Sequence, residues 1–340
     1  MIRQRFAVLL AAVPLLIATL LISGPVHAQQ RSYILATATT GGTYYPVGVA
    51  LSTLIKVQLE PTHGIAMSAI SSAGSDENIR LMRENQAQFS ILQGLYGAWA
   101  WEGEGQFERE GPQKDLRSIT MLWQNVEHFA VNSDYAETGT IEDLNNLKGQ
   151  RFSIGERNSG TEGSGRHILT GLGIDPDKTF NLVYQGYGAS AEAMQNGTIQ
   201  GMNTPAGVPV SAVAQAFAAL GERITLLGFT DEQVERANGP YELWTPYEIP
   251  ANTYPGQSQA VRTIAQPNFL AVRADLDEEA IYEITKAIYE NLPFLNNIHS
   301  ATKAMDINKA LDGLPIPLHP GAVRYYKEAG ITIPDELIPE

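Results

Sequence analysis

Short apolar runs alternate with amphipathic segments along most of the chain. Residues 33–36, 66–70 and 89–92 are largely apolar and have the length of strands. The segments between them repeat apolar positions at a spacing of three or four, which is typical of helices with one buried face. Strands that are separated by single helices are joined by right-handed crossovers and form a parallel sheet. The pattern therefore predicts an α/β unit at the start of the chain.

The same alternation starts again after Trp123. Strand-like runs at 128–131, 152–154 and 181–184 are separated by segments with helical periodicity, which predicts a second α/β unit. Residues 238–257 contain four prolines and show no clear periodicity. We interpret this stretch as a surface excursion.

The end of the chain is helical. Residues 278–292 and the segment from 301 onward have no strands of their own, so we expect them to pack on the first unit. The sequence therefore predicts an α/β fold with two lobes, each a mostly parallel sheet flanked by helices. Lobe 1 would comprise residues 29–124 and 274–340, lobe 2 would comprise residues 125–273, and a ligand cleft would lie between them.

The first 28 residues have the pattern of an export signal. Arg3 and Arg5 precede an apolar run over 6–22, and residues 26–28 have the small side chains of a cleavage site. The rival interpretation is an uncleaved membrane anchor, but a run of about 17 residues is at the lower limit for spanning a bilayer. We predict cleavage after about Ala28 and a mature protein in the periplasm.

Composition and charge narrow the function. The 340 residues carry a formal net charge of −14, and cysteine is absent. The lack of cysteine excludes disulfides, thiolate metal sites and a cysteine nucleophile. A strongly acidic chain is repelled by nucleic acid and by anionic membrane surfaces. We therefore expect neither of these as a partner.

Small and polar loops follow several of the predicted strands. Three lie in the first lobe, at 41–45, 71–75 and 93–96, and two lie in the second, at 158–161 and 186–188. Ligands of open parallel sheets bind beyond the carboxyl ends of the strands, and helix N-termini offer unpaired N–H groups to anions. The loops predict a small anion held from both sides, although each loop alone is also an ordinary cap or turn.

Enzyme signatures are missing from the sequence. It contains no G-x-S-x-G nucleophile elbow, and no glycine is followed by lysine as in a phosphate-binding P-loop. The histidines of the mature chain show no zinc-ligand spacing; they are His63, His128, His167, His299 and His319. We predict a protein that is not an enzyme and has no cofactor and no metal site.

Two motifs are far more specific than these loops. Residues 41–46 read Gly-Gly-Thr-Tyr-Tyr-Pro, and residues 319–326 read His-Pro-Gly-Ala-Val-Arg-Tyr-Tyr. In these motifs, and in intervening stretches such as 74–81, 143–149 and 158–161, the chain resembles the TAXI family, the extracytoplasmic solute receptors associated with TRAP transporters. The resemblance extends over essentially the whole mature chain.

This resemblance implies a periplasmic binding protein of the two-lobed, type II-like kind. Such a receptor closes on a small organic anion, in this family a carboxylate such as glutamate, glutamine or 2-oxoglutarate, and delivers it to the TRAP transporter membrane subunit. The ligand contacts implied by position are Thr43, Tyr44, Ser71, Ser75, Gln93, Ser159, Gly160 and Thr161. Tyr187, in the loop 186–188, is a further candidate.

One feature of the candidate site is unusual for a dicarboxylate ligand. Such ligands commonly recruit an arginine as a bidentate partner, and the predicted strand ends offer none. A second carboxylate would therefore need Arg157, which borders the loop at 158–161, or the ligand has only one.

Two alternatives to a transport receptor stay open at this point. The chain could be a periplasmic domain that senses a ligand and signals to a membrane partner, or an extracytoplasmic enzyme built on the same fold. We expect a monomer, because a shuttling receptor does not require a second subunit.

Overall fold

The computed structural model describes residues 30–339, so the predicted signal segment lies outside the described residues. The first part of the chain forms β1 (Arg31–Ala36), α1 (Tyr44–His63), β2 (Ile65–Ile70), α2 (Ser75–Arg83), β3 (Phe89–Gln93), α3 (Gly94–Glu102) and β4 (Leu116–Val126). The middle part forms β5 (Phe129–Asn132), β6 (Arg151–Ser153), α4 (Gly160–Gly171), α5 (Pro176–Thr179), β7 (Asn181–Val183), α6 (Tyr187–Gln195), β8 (Gly201–Asn203), α7 (Ser211–Leu220), β9 (Ile224–Leu226) and α8 (Asp231–Asn238). The last part forms β10 (Thr245–Ile249), β11 (Val261–Arg273), α9 (Glu278–Glu290), α10 (Leu292–Ile298) and α11 (Pro320–Glu328).

Two separate sheets confirm the predicted α/β architecture. The first has the order β10-β11-β3-β1-β2, with β4 also paired to β11, and the second has the order β7-β6-β8-β5-β9. Each sheet contains a parallel group of three strands, β2-β1-β3 and β7-β6-β8, as the helix-strand alternation predicts. The other strands are antiparallel, so both sheets are mixed.

Each sheet has its own apolar side chains in contact with helices. Leu35, Phe89 and Ile91 are fully buried in the first sheet, while Met202 and Val213 belong to a second cluster beside the second sheet. Burial of such side chains is the main favourable term in folding. Two sheets with helices on their faces therefore account for the two lobes.

Strands β4 and β11 connect the two sheets. The Phe229 N–H donates to Arg262 O at the start of β11, whereas Val272 near its end pairs with Phe89 of β3. Strands β10 and β11 thus lie in the range predicted for lobe 2 but are strands of the first sheet. The reason is that the chain returns from the second lobe to the first along β11, and this strand pairs with first-sheet strands over most of its length.

The stretch 238–257 is also more integrated than a surface excursion. It contributes β10 to the first sheet, and the side chains of Trp244, Ile249 and Tyr254 are buried. The prolines obscured the periodicity but did not prevent strand formation, because β10 lies at the edge of the sheet, where a missing N–H donor is tolerated.

The carboxyl-terminal helices pack on the first sheet. The His319 N–H donates to Ser118 O (2.9 Å), and the Tyr326 hydroxyl donates to Ile119 O (3.0 Å). Both acceptors lie on β4, so α11 is fixed directly to the crossing strand. No helix within residues 30–339 is long and apolar enough to cross a membrane.

One buried side chain fixes the loops at the end of the first sheet. Asn78, in α2, is 0% exposed. Its Nδ2 donates to Thr37 O (2.7 Å) and Ile91 O (3.0 Å), and its Oδ1 accepts from Ser72 Oγ (2.6 Å). The three partners follow or belong to β1, β3 and β2. One amide therefore joins the carboxyl ends of all three parallel strands.

We expect Asn78→Ala to lower the free energy of unfolding by about 3 kcal/mol, because it removes three buried hydrogen bonds, two that the amide donates and one that it accepts. Urea denaturation followed by circular dichroism measures this change. Asn146→Ala is the matched control, since the exposed Asn146 makes one hydrogen bond, to Tyr135 O. A loss for Asn78→Ala no larger than for the control would contradict the role given to Asn78.

Candidate functional site

Five helices begin around one pocket between the lobes. Helices α1, α2 and α3 start there from the first lobe, and α4 and α6 start there from the second. The pocket encloses about 430 Å³ of empty space, part of which is open to solvent. Its walls comprise Ala38, Thr39, Gly42, Thr43, Tyr44, Ala73, Gly74, Ser75, Gln93, Glu156, Ser159, Gly160, Thr161, Gly186, Tyr187, Pro205 and Ala206.

The two lobes touch each other at the rim of the pocket. The Tyr96 hydroxyl, on α3, donates to Ser159 O before α4 (3.1 Å), and the Glu77 N–H donates to Asn158 O (3.1 Å). Thr43 Oγ1 donates to Gly207 O (2.9 Å). Each of these hydrogen bonds joins a first-lobe residue to a second-lobe residue. The structure is therefore a closed form.

The potential in the pocket comes from the backbone rather than from cationic side chains. Among the described residues that line it, none is Lys, Arg or His, and one, Glu156, is acidic. The first N–H groups of a helix have no intrahelical acceptor, and the helix dipole adds about half a positive charge at that end. Five such ends favour a small anion at the centre of the pocket.

Eight of the ten predicted contact residues line this pocket. They are Thr43, Tyr44, Ser75, Gln93, Ser159, Gly160, Thr161 and Tyr187. The structure thus brings together loops that are far apart in the sequence. Whether each residue contacts a ligand stays a prediction.

Ser71 and Arg157 do not line the pocket. Ser71 is exposed, two residues before the part of its loop that reaches the cleft. Arg157 is also exposed, and its guanidinium stacks on the Tyr184 ring, 3.7 Å from the ring centre. A cation over an aromatic face is a favourable contact in itself. Arg157 therefore points away from the position where it would hold a second carboxylate.

Two tyrosines form walls of the pocket. The Tyr187 hydroxyl donates to Pro205 O (2.6 Å) and lies 2.7 Å from Thr161 Oγ1. The Tyr44 hydroxyl donates to Asn268 Oδ1, on β11. Burial raises the pKa of both hydroxyls above the ordinary value for tyrosine. Both rings are therefore neutral and held in place by hydrogen bonds.

Glu156 is a lining residue that the sequence interpretation missed. It follows β6 by three residues, so its position after a strand end was a signal that could have identified it. Burial and the nearby negative charge of Glu77 raise the pKa of its carboxyl group. An acid beside helix N-termini disfavours a ligand that carries only negative charge and favours one that also carries a positive group.

A second acid, Glu127, lies behind the pocket and is fully buried. Its Oε1 accepts from the Trp244 indole N–H (3.4 Å). Burial raises the pKa of Glu127 to about 8, and the neighbouring Asn203 amide and Trp244 indole oppose that rise. The carboxyl group is therefore largely protonated at pH 7. The sequence around Glu127 gave no indication that this side chain is buried and protonated.

The neighbouring His128 is structural. Its Nδ1 lies 2.8 Å from Val126 O and its Nε2 lies 2.7 Å from the Tyr254 hydroxyl. Burial lowers the pKa of His128 to about 4, so the ring is neutral at physiological pH. Within residues 30–339, no group of three or more His, Asp or Glu side chains is placed to hold a metal ion.

Comparisons with known proteins agree with this architecture. A family model described as the NMT1-like family matches residues 35–330. A similar fold occurs in PhnD1 from Prochlorococcus marinus (MIT 9301) in complex with methylphosphonate, at 15% identity and a TM-score of 0.51, over 83% of this chain and 92% of that one. It also occurs in the ligand-binding component of an ABC-type import system from Staphylococcus aureus with zinc bound, at 9% identity and a TM-score of 0.50, over 91% and 97% of the two chains. The fold is that of the type II periplasmic binding proteins.

A substitution that creates a steric clash between the lobes tests whether they close as in this structure. A Cβ added at Gly163, on α4, would lie 2.0 Å from the Tyr96 hydroxyl oxygen of the other lobe. We expect Gly163→Ala to hinder closure without unfolding either lobe. Small-angle scattering should show that the variant stays more extended than the wild type in the presence of a ligand, at an unchanged unfolding midpoint of the ligand-free protein.

Gly188→Ala is the control for this test, because a Cβ at Gly188 meets nothing within 4 Å. The control should compact as the wild type does. If Gly163→Ala also compacts normally, the contact between Tyr96 and α4 does not limit closure.

The buried acid predicts a pH dependence of stability. Glu127 keeps its proton in the folded state up to about pH 8, whereas its ordinary pKa is 4.5. Between these values the folded state binds more protons than the unfolded state, so this group lowers the stability as the pH rises. Glu127→Gln removes the effect. The unfolding free energy of the variant minus that of the wild type should therefore increase by about 1.4 kcal/mol per pH unit in this window.

Urea denaturation of both proteins at pH 5, 6, 7 and 8 measures the difference. Titration of His128 affects wild type and variant alike and so cancels. Glu232→Gln, at an exposed position of α8, should give a flat difference. A flat difference for Glu127→Gln as well would mean that Glu127 is ionised in the folded protein.

Proposed function

The chain belongs to the NMT1-like family, and we propose that it is an extracytoplasmic solute-binding receptor that closes on a small organic anion and delivers it to a membrane transporter. The observation that carries this proposal is the convergence of five helix N-termini, from both lobes, on one pocket. Hinge closure around a ligand is a known transition of periplasmic binding proteins. Because both lobes contribute to the pocket, a ligand makes more contacts in the closed form than in the open form, and it therefore favours the closed form.

A carboxylate is the anion that we propose. Backbone N–H groups at helix N-termini bind carboxylate and phosphate oxygens alike. The Thr43 and Thr161 hydroxyls are hydrogen-bonded to Gly207 O and to the Tyr187 hydroxyl, which leaves the Ser75 hydroxyl at the pocket. The pocket has no arginine, and arginine is common where phosphate is bound with two parallel hydrogen bonds. A singly charged carboxylate needs less positive charge than a phosphate or phosphonate dianion.

Glu156 supports a zwitterion within that class. The ammonium group of an α-amino acid can pair with the Glu156 carboxylate while the α-carboxylate lies at the helix N-termini. A 2-oxo acid has no cationic group and leaves Glu156 unpaired beside a negative ligand. Of the three ligands that the sequence motifs suggest, the two amino acids, glutamate and glutamine, are therefore favoured over 2-oxoglutarate.

The membrane partner that we propose is a TRAP-type transporter subunit. The support is the two motifs at 41–46 and 319–326 that resemble the TAXI receptors. Thr43 and Tyr44 of the first motif line the pocket, while the second motif begins α11 on the first sheet. The Staphylococcus aureus protein of similar fold is named as a component of an ABC-type system, so the membrane subunit of an ABC-type importer is the alternative partner.

A binding panel tests the ligand class. The protein from Gln29 onward is refolded to remove carried-over ligand and titrated with L-glutamate, 2-oxoglutarate, succinate, inorganic phosphate, methylphosphonate and glucose. We expect the carboxylates alone to bind, with a stabilisation of about 2.7 kcal/mol at a hundred times the dissociation constant. Binding of phosphate, methylphosphonate or glucose without any carboxylate would refute the carboxylate proposal.

Glu156→Gln tests the zwitterion. We expect the variant to bind glutamate roughly tenfold more weakly and 2-oxoglutarate more tightly, since it removes an attraction in one case and a repulsion in the other. Calorimetric titration gives both dissociation constants. Glu232→Gln should change neither, and an equal effect of Glu156→Gln on both ligands would exclude an ammonium contact.

A further inference from the structure

A cluster of buried polar side chains lies directly behind the pocket, and its hydrogen-bonding capacity is not used. Within residues 30–339, six side chains of this cluster each have at least one buried polar atom without a hydrogen-bond partner. The members, which we term the buried polar cluster, are Gln93, Asn125, Glu127, Asn203, Gln266 and Asn268. All six are at most 3% exposed. Most buried polar groups in native proteins have partners, so this concentration needs an explanation.

The buried polar cluster adjoins the pocket through shared walls. Gln93 belongs to both, and it pairs with Asn268 across β3 and β11. Tyr44, a pocket wall, donates its hydroxyl hydrogen to Asn268 Oδ1. Asn125 and Gln266 are direct neighbours on β4 and β11. The cluster therefore borders the pocket at Gln93, and three of its six members, Asn125, Gln266 and Asn268, lie on the two strands that join the lobes.

Two of the amides have a fixed orientation. Gln266 Oε1 accepts from the Leu95 N–H (2.9 Å), and Asn268 Oδ1 accepts from Tyr44. The free atoms of these two side chains are consequently their nitrogens, which only donate. Asn125 leaves both its oxygen and its nitrogen free, so the cluster also offers an acceptor, while the Asn203 amide lies beside the Glu127 carboxyl group.

We propose that the buried polar cluster is a subsite for the far end of the ligand, and that it takes an uncharged group that both donates and accepts, namely a primary amide or a hydroxyl. The inference rests on the proposed function for the near end, the carboxylate at the helix N-termini. A second carboxylate would be buried without a cation and would face the oxygen of Asn125. An ammonium group would face the fixed N–H donors of Gln266 and Asn268.

Glu127 is compatible with an uncharged partner. Its Oε1 accepts from Trp244, and its Oε2 is free. The neutral acid is both a donor and an acceptor, as is a primary amide. With Glu127 protonated, the cluster contains no charged side chain. A neutral ligand group therefore does not displace water from a charge when it enters.

Three compounds of one length separate the two ends of the site. Succinate carries two carboxylates, succinamate carries one carboxylate and one amide, and succinamide carries two amides. Calorimetric titration of the whole protein from Gln29 at pH 6.5 gives their dissociation constants. The glutarate, glutaramate and glutaramide series repeats the test with one more methylene group.

We expect the monoamide to bind at least tenfold more tightly than either companion in at least one series. A diamide that binds as well as the monoamide would support the proposed subsite at the buried polar cluster and refute the carboxylate site. A dicarboxylate that binds as well as the monoamide would uphold the carboxylate site and refute the cluster. No binding in either series would refute both.

Asn203→Leu and Asn125→Leu test the assignment to residues, because each replaces an amide with an apolar side chain of the same branching and number of heavy atoms. Each variant should abolish the preference for the monoamide and leave the affinity for the dicarboxylate unchanged. Asn132→Leu, at the end of β5 outside the cluster, is the control and should keep the preference. A preference that persists in both cluster variants would show that the cluster holds only water. Two cluster variants are used so that the test still gives a result if one of them does not fold.

Discussion

The antiparallel pairing of β4 with β11 is the constraint on which the rest of the molecule depends. The two strands pair from Val126 with Ala265 to Leu116 with Arg273, and β11 continues beyond this region to reach the second lobe. The ribbon therefore connects the lobes, anchors α11 through Ser118 and Ile119, and supplies half of the buried polar cluster.

Helix direction follows from the sheets that this ribbon holds together. In each lobe the parallel strands end at the same edge, and the helices that follow them begin there. When the lobes face each other, the helix N-termini meet, and their partial charges add at one place. Closure removes water from this place, which strengthens the attraction between the backbone N–H groups and an anion. The pocket needs no cationic side chain for this reason.

The sequence predicted the features that depend on local order along the chain. A loop after a strand and before a helix lies at the carboxyl edge of a sheet, so the sequence alone placed Thr43, Ser75 and Thr161 near the cleft whose pocket they line. Pairing between distant segments is not encoded locally, which is why the place of β10 and β11 was missed. The direction of Arg157 was missed for a related reason, since it is decided by the ring of Tyr184, 27 positions further along the chain.

The two acids of the site illustrate how environment divides one residue type into two functions. Glu156 is partly exposed at the pocket, and in the function that we propose it distinguishes ligands by the charge of their near end. Glu127 is buried among amides and keeps its proton, so it presents hydrogen bonds without a charge. Recognition of charge and recognition of hydrogen-bonding pattern are thus separated along the pocket. In the site that we propose, a ligand satisfies both at once, and this joint requirement is a physical basis for selectivity without an arginine.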